Sequence, residues 1–198
     1  MCADCMRITR GEVENCCVKC GNYQEGWRCI DCGADGSFVF GFYDQLIGMM
    51  VISLKQKSAR HLARVAAELM AGVLPEVGGG RVAVVPVPTI AKHRQERGLA
   101  HAEMVAKELA RIKGWKYVEA LRRVGDSVQT GKSREVRGKQ AARAYRFEER
   151  WVDRISEFDE VIIYDDITTT GVTLDECAKL LRQAGARRVR RVVAARAR

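Results

Sequence analysis

The sequence predicts an α/β fold, a parallel sheet with flanking helices, preceded by a small cysteine-rich head. Beyond residue 41, short apolar runs alternate with segments whose apolar residues recur at helical spacing, which is typical of a parallel sheet covered by helices. Seven of the eight cysteines lie within the first 32 residues. The length of 198 residues suits one ordinary domain and a small module. We therefore expect the head over residues 1–40 and a second domain over residues 41–198.

The head contains two CxxCG turns, one from Cys17 to Cys20 and one from Cys29 to Cys32, with eight residues between them. Each turn points two thiolates at one ion, and the glycine that follows permits the tight backbone. A head of this length with few aliphatic residues needs such a staple to fold. The spacing therefore predicts a closed, structural four-cysteine zinc ribbon.

A third pair, Cys2 and Cys5, has two interpretations. It is half of a second zinc site that borrows Cys16, or it is the remnant of a longer double ribbon. The spacing does not choose between them, so the number of zinc ions stays open.

The sequence predicts neither a membrane span nor export. The longest apolar stretch, residues 46–54, has about nine residues, well short of the roughly 20 that a bilayer requires. The first residues lack a basic segment followed by an apolar one, so we expect no signal peptide and a cytoplasmic location. In the reducing cytosol, clustered thiols bind metal more often than they form disulfides.

The second domain is expected to alternate helices and strands. Apolar residues at helical spacing predict helices over residues 46–54, 62–73, 102–114 and 173–184. Short apolar runs predict strands over residues 82–87, 116–121, 161–164 and 189–195. The polar and basic residues 125–143 predict a loop.

Residues 161–173, with the sequence VIIYDDITTTGVT, carry the clearest chemical signal. A buried strand would deliver the adjacent carboxylates of Asp165 and Asp166 to the carboxyl edge of the sheet, where ligands bind. A hydroxyl-rich turn then leads into a helix, for which Thr173 and Glu176 predict a capping box. The N–H groups at a helix N-terminus bind phosphate, and two adjacent carboxylates can accept hydrogen bonds from a sugar diol. The segment therefore predicts a ribose 5-phosphate site.

This segment resembles the PRPP-binding motif of type I phosphoribosyltransferases (PRPP is 5-phosphoribosyl 1-pyrophosphate). The resemblance implies the fold of that family, with Asp165 and Asp166 holding the ribose hydroxyls. It implies that PRPP and water largely hold the accompanying Mg²⁺. It also implies a set of residues that hold the 5′-phosphate, namely Thr168, Thr169, Thr170, Gly171 and Thr173.

Two further stretches resemble the ComF family of phosphoribosyltransferase-like proteins. They are VPVP at residues 85–88 followed by RQERGL at residues 94–99, and QTGKSREVR at residues 129–137. That family also begins with CxxC zinc pairs, so the resemblance spans nearly the whole chain. It implies transfer or sensing of the 5-phosphoribosyl group and a role in natural competence, the uptake of DNA. Single-stranded DNA and other competence proteins are the partners it implies.

The resemblance also implies where the pyrophosphate of PRPP lies, which is beside Val87 and Pro88 with Arg97 as a charge partner. The basic loop would close over it, which excludes water and stabilises the leaving group. The lid candidates in that loop are Lys132, Arg134, Arg137 and Lys139. No catalytic residue and no phosphoribosyl acceptor can be assigned. The chain is therefore either a phosphoribosyltransferase or a non-catalytic PRPP-responsive module that binds nucleic acid or regulates a partner.

The formal charge of +9 is concentrated in two stretches. Residues 122–146 carry eight Lys and Arg with two acids, and residues 182–198 carry seven Arg and no acid. A lid over pyrophosphate explains most of the first stretch. The second stretch is the main remaining candidate for nucleic-acid binding. The head has more acidic than basic residues and is excluded from that role.

Overall fold

The structure, a computed structural model, describes residues 16–24, 26–33, 35–43, 45–54, 59–89, 101–124 and 144–197. In chain order its strands are β1 (Ser37–Phe42), β2 (Val82–Pro86), β3 (Lys116–Tyr117), β4 (Leu121–Arg123), β5 (Tyr145–Phe147), β6 (Glu160–Thr168) and β7 (Val189–Arg196). Its helices are α1 (Gln45–Leu54), α2 (Ala59–Val73), α3 (His101–Lys113) and α4 (Val172–Gln183). Two short 3₁₀ turns, Glu149–Trp151 and Ile155–Glu157, precede β6.

Five strands form one parallel sheet in the order β1–β7–β6–β2–β3, so β6 is central. The remaining two strands, β4 and β5, form a short antiparallel ribbon. The predicted α/β fold with a parallel sheet is therefore confirmed. None of the helices in the described ranges is long and apolar enough to cross a membrane.

Alternating residues of the sheet strands supply two separate cores. Val84, Ile162 and Tyr164 face the core that contains α1, α2 and α3. Val85 and Ile163 face the second core, which contains α4, the β4–β5 ribbon and part of the head. Nearly continuous apolar runs are needed because both faces of a parallel sheet are covered. This requirement explains why β2 and β6 could be recognised from the sequence.

Two of the differences between expected and observed element boundaries concern the main sheet. The single strand predicted over residues 116–121 is wrong, because the chain leaves the main sheet after Val118, whose N–H donates to Val84 O at 2.9 Å. The chain then enters the β4–β5 ribbon. The strand β1 begins before residue 40 and pairs with β7 over the whole of β1. The main sheet therefore starts within the segment assigned to the head, and the division into two domains stays a prediction.

The first residue of β6, Glu160, carries a buried carboxylate that ties together three parts of the chain. Its side chain is 2% exposed and accepts hydrogen bonds from Arg190 Nε at 2.5 Å and Arg188 Nη1 at 3.4 Å. Its second oxygen accepts one from the Gly78 N–H at 3.1 Å. The guanidinium of Arg190 also lies over the Trp27 ring, 4.4 Å from its centroid. Glu160 therefore links the sheet to the cysteine-rich head.

We expect Glu160→Ala to lower the free energy of unfolding by about 3–5 kcal/mol, because it leaves the buried charge of Arg190 unpaired. The matched control is Glu157→Ala, which breaks the 3.0 Å ion pair with Arg81 at a carboxylate that is 47% exposed. That surface pair should change stability by less than about 1 kcal/mol. Urea unfolding of both variants measures the difference, and equal losses would contradict the assignment.

Candidate functional site

The head brings four cysteine sulfurs together, as the CxxCG turns predict. The Sγ atoms of Cys17 and Cys32 lie 3.6 Å apart, and those of Cys20 and Cys29 lie 3.5 Å apart. All four sulfurs lie within 4.8 Å of one another. Four sulfurs bound to zinc at about 2.3 Å in a tetrahedron are about 3.8 Å apart. The cluster therefore has the size and the ligand chemistry of a structural zinc site.

Each CxxCG turn ends in a glycine that closes it. Gly21 and Gly33 adopt φ of +85° and +65°, a region that side chains disfavour. Their N–H groups donate to the carbonyls of Cys17 and Cys29 at 2.9 and 3.1 Å. The Lys19 N–H donates to Cys17 Sγ at 3.3 Å. The backbone thus holds the sulfurs in place for a metal.

The thiols of the cluster differ in acidity. Burial acts to raise the pKa of Cys17, but hydrogen bonds with the Cys20 and Lys19 amides and the Cys32 thiol outweigh it and lower that pKa to about 7. Burial, and hydrogen bonding with the other three thiols, raise the pKa of Cys20 to about 12. A metal ligand must be a thiolate, so metal binding has to displace a proton from Cys20.

The two other cysteines that the structure describes, Cys16 and Cys177, do not belong to this cluster. Cys16 is buried, and its backbone bridges to Tyr23 and Val39. Cys2 and Cys5 lie outside the described residues, so a second zinc site stays a prediction. Cys177 is fully buried on α4, as expected from its place on the apolar face of that helix.

The acidic pair lies at the carboxyl end of the central strand. Pairing of β6 with β2 ends at Tyr164 opposite Pro86, whereas pairing with β7 continues to Thr168 opposite Arg196. Asp165 and Asp166 therefore belong to the strand, which is longer than the predicted 161–164. They lie beside the point where β2 has ended, at the edge where parallel sheets bind ligands.

The backbone that follows them orients both carboxylates. Asp165 Oδ1 accepts a hydrogen bond from the Asp166 N–H at 2.9 Å, and Asp166 Oδ1 accepts one from the Ile167 N–H at 2.8 Å. Burial, with the charge and side-chain hydrogen bond of Asp166, raises the pKa of Asp165 well above its usual range, while Arg123 acts in the opposite direction. A ligand that donates hydrogen bonds would stabilise the ionised pair.

The hydroxyl-rich turn connects this strand directly to α4. Thr168 is 6% exposed, and its Oγ1 accepts a hydrogen bond from the Gly171 N–H at 3.0 Å. Thr169 is exposed and Thr170 is half-buried. The turn therefore presents its small side chains and the first N–H groups of α4 at the same edge as the acidic pair, as a phosphate site requires.

The predicted capping box at Thr173 is wrong. The helix begins one residue earlier, at Val172, and its N-cap is Gly171 with φ of +76° and no side-chain cap. The backbone carbonyl of Val18 lies 3.4 Å from where a Cβ of residue 171 would be, so glycine suits both the backbone and the space. Thr173 lies in the first turn of α4.

Of the two residues expected beside the pyrophosphate, Val87 and Pro88, only Val87 has a contact that places it next to the acidic pair. The Val87 N–H donates to Tyr164 O at 2.8 Å, which places it beside Asp165 in the adjacent strand. Pro88 lines a cavity of about 300 Å³ together with Thr89 and Arg123. The other predicted residues, Arg97, Lys132, Arg134, Arg137 and Lys139, lie outside the described residues.

Sequence reasoning missed the role of Arg123 at this edge. Its Nη1 donates to Tyr145 Oη at 2.9 Å, and its guanidinium lies 5.3 Å from the centre of the same ring. Burial and Asp166 raise the pKa of Asp165, and the charge of Arg123 opposes part of that rise. The signal that could have found it is the end of a predicted strand at the sheet edge, where charged residues are often functional.

Most arginines of the basic C-terminal stretch form hydrogen bonds or ion pairs with other residues of the chain. Arg191 donates to Asp175 and to the carbonyl of Asp35, and Arg190 and Arg188 bond Glu160. Arg187 pairs with Asp159 at 3.5 Å. These contacts explain much of the C-terminal charge without a nucleic acid.

Comparison with solved structures finds several chains that are similar to this one, whereas the comparisons by sequence find none. No family model matches the chain, and no curated protein sequence matches it. A solved structure described as the allosteric regulatory enzyme of purine biosynthesis is similar, at 19% identity and a TM-score of 0.44. The match covers 69% of this chain and 25% of that structure, so this chain spans about a quarter of its length.

We expect the purified protein to bind zinc through the four-cysteine cluster and Cys20→Ser to lose it, because a closed site needs all four thiolates. Metal analysis by mass spectrometry measures the content. Cys177→Ala is the matched control, since its thiol is buried on α4 away from the cluster and its loss should leave the zinc bound. Equal zinc content in the wild type and Cys20→Ser would contradict the assignment.

Proposed function

We propose that this chain binds PRPP at the carboxyl edge of its sheet and is a phosphoribosyltransferase-type protein of the ComF kind with a structural zinc ion in its head. The observation that carries the proposal is a single continuous segment. It runs from the central strand through two adjacent carboxylates and a threonine-rich turn into the N-terminus of α4.

In this proposal, Asp165 and Asp166 accept hydrogen bonds from the two ribose hydroxyls. A diol donates two hydrogen bonds, and a vicinal carboxylate pair supplies the matching acceptors. The desolvation that raises the pKa of Asp165 is offset when the hydroxyls bind. The turn from Thr168 to Gly171 and the first N–H groups of α4 hold the 5′-phosphate.

The pyrophosphate then lies beside Val87 and Pro88, with Arg123 as a nearby positive charge. Mg²⁺ neutralises part of the pyrophosphate charge and is held largely by PRPP and water. The lid residues Lys132, Arg134, Arg137 and Lys139 and the charge partner Arg97 belong to the proposal on the resemblance alone.

The proposed reaction is a displacement at C1 of the ribose. An acceptor with a lone pair forms a bond to C1 while the bond from C1 to the pyrophosphate oxygen breaks, and pyrophosphate leaves with the electron pair. The acceptor loses its proton afterwards. The residues of this chain bind and orient the ribose and phosphate groups, which lowers the entropic barrier to the displacement.

A role in DNA uptake, with single-stranded DNA or competence proteins as partners, rests on the resemblance to the ComF family. Five of the C-terminal arginines make intramolecular contacts, which weakens the electrostatic argument for direct DNA binding, although the side chains of Arg187 and Arg188 are 69% and 62% exposed. PRPP binding is therefore the part of the proposal with the most support from the described residues.

We expect the double variant Asp165→Asn with Asp166→Asn to lose PRPP binding, measured by titration calorimetry with saturating Mg²⁺. Its zinc content should not change. The control Asp153→Asn with Glu157→Gln makes the same change of charge at exposed residues before β6 and should bind PRPP normally. Retained PRPP affinity in the first variant would refute the site.

The same double variant should be no less stable than the wild type at neutral pH without ligand. A carboxyl whose pKa is raised on folding contributes most stability below its unfolded pKa, and this contribution is lost as the pH rises through the folded pKa. Neutral amides avoid that loss. Thermal unfolding from pH 4 to pH 8 therefore separates lost binding from misfolding: the Asn variant should gain stability relative to the wild type as the pH rises.

Catalysis makes a separate prediction, because a phosphoribosyltransferase releases pyrophosphate when its acceptor is present. A coupled pyrophosphate assay against purine, pyrimidine and amine acceptors should show one acceptor that accelerates release above the hydrolysis of PRPP alone. PRPP binding without such an acceptor would leave the non-catalytic, PRPP-responsive alternative as the function.

A further inference from the structure

The Cys17–Cys20 turn of the head lies directly against the proposed phosphate turn. The Val18 side chain is 1% exposed, and its carbonyl oxygen and Cγ2 lie 3.4 and 3.5 Å from where a Cβ at residue 171 would be. Gly171 is itself buried and adopts φ of +76°. Val18 therefore forms one wall of the turn that leads into α4, and a shift of Val18 would remove that wall.

Arg196, at the end of β7, makes a second connection between the two sites. Its guanidinium donates hydrogen bonds to the carbonyls of Cys17, at 3.0 Å, and of Val18. Arg196 also lies opposite Thr168 in the β6–β7 register, and the following N–H, of Ala197, donates to Thr168 O at 2.8 Å. The hydroxyl oxygen of Thr168 in turn accepts a hydrogen bond from the Gly171 N–H. Hydrogen bonds at Arg196, Ala197 and Thr168, connected through the covalent chain, thus join the metal-binding turn to the phosphate turn.

The conformation of the Cys17–Cys20 turn depends on the metal that its two cysteines would bind. Two of the four ligands, Cys17 and Cys20, flank Val18, so a bound zinc ion holds the backbone of Val18 and the carbonyls that Arg196 contacts. Loss of the ion would let the thiols separate. The Cys17 and Val18 carbonyls would then no longer be held in place for the hydrogen bonds from Arg196. A head that served only as an independent interaction module would need neither contact.

We propose that the zinc ion stabilises the phosphate turn, that zinc and phosphoribosyl ligand bind with positive coupling, and that Arg196 is the positioning residue that connects them. The identity of the ligand rests on the proposed function, whereas the coupling of the two turns does not. Coupling between sites is reciprocal: if zinc raises the affinity for the ligand, the ligand raises the affinity for zinc by the same factor. Because affinity differences of related complexes lie mostly in the dissociation rate, the ligand should slow the loss of zinc. Couplings of this kind are typically about 5- to 150-fold in affinity. Removal of the metal, or oxidation of its thiolates, would then lower the affinity for the ligand.

The first test uses no phosphoribosyl ligand. The zinc-loaded protein is mixed with an excess of a chromogenic chelator, and the rate of zinc transfer is followed by absorbance. We expect Arg196→Met, which keeps the aliphatic stem, to release zinc at least about fivefold faster than the wild type. Arg187→Met is the matched control, since Arg187 pairs with Asp159 before β7 begins and should release zinc at the wild-type rate.

A second variant tests the same coupling by a change in the phosphate turn. Gly171→Ala places a Cβ against the Val18 carbonyl in a backbone conformation that alanine disfavours, so it should also accelerate zinc release. Circular dichroism establishes that each variant is folded before its rate is compared. Wild-type release rates in folded Arg196→Met and Gly171→Ala would overturn the proposal.

The second test adds PRPP with saturating Mg²⁺. We expect it to slow zinc release from the wild type about fivefold or more, and to slow release from Arg196→Met by a smaller factor. The double variant Asp165→Asn with Asp166→Asn controls for chelation by PRPP itself and should show no change. If PRPP binds the wild type and leaves the zinc release rate unchanged, the coupling is refuted and the proposed function stands. If PRPP does not bind, the proposed function fails, and the variants without ligand still decide whether the turns are coupled.

Discussion

The site depends on unequal pairing along the central strand. The strand β6 has a neighbour on each side up to Tyr164, and beyond that residue its pairing continues with β7 alone among the described strands. The continued pairing keeps Asp165 and Asp166 in extended backbone, while the strand pairing on the β2 side has ended at Tyr164. The carboxyl ends of β2 and β6 lie at the same edge of the sheet because the two strands are parallel. The acidic pair, the threonine turn and the end of β2 therefore meet there without long connections.

That arrangement has a cost in stability that function can explain. Two carboxylates in adjacent positions and partly removed from water raise the pKa of Asp165, and the opposing charge of Arg123 offsets only part of this effect. A sequence selected for stability alone would place neutral residues there. Buried groups with strongly shifted pKa values occur preferentially at functional sites, so the unfavourable pair itself supports a binding role. Glu160, at the other end of the same strand, shows the structural alternative: its buried charge is matched by two arginines.

The sequence predicted those features that arise from local patterns. The CxxCG turns led to the four-cysteine cluster, and the apolar runs led to β2 and β6, because each signal lies within a few consecutive residues. The contacts between distant segments could not be found in this way. Glycine suits the N-cap position of α4 because Val18 of the head lies against residue 171. The residues near position 171 in the sequence do not indicate this contact. The same holds for the interaction of Arg123 with Asp165, which arises only when the β4–β5 ribbon packs into the second core.

Net charge is a poor guide to partners when the fold supplies the counter-charges. The C-terminal arginines lie on or beside β7, which pairs with β1 on one side and β6 on the other. From that position Arg190 reaches Glu160 and Trp27, while Arg196 reaches the carbonyls of the Cys17–Cys20 turn. Both bring the head against the sheet. The positions of Arg190 and Arg196 are thus explained by the requirement that β7 hold the cysteine-rich head against the sheet. This requirement also accounts for the choice of arginine, since a planar guanidinium can serve two carbonyls at once.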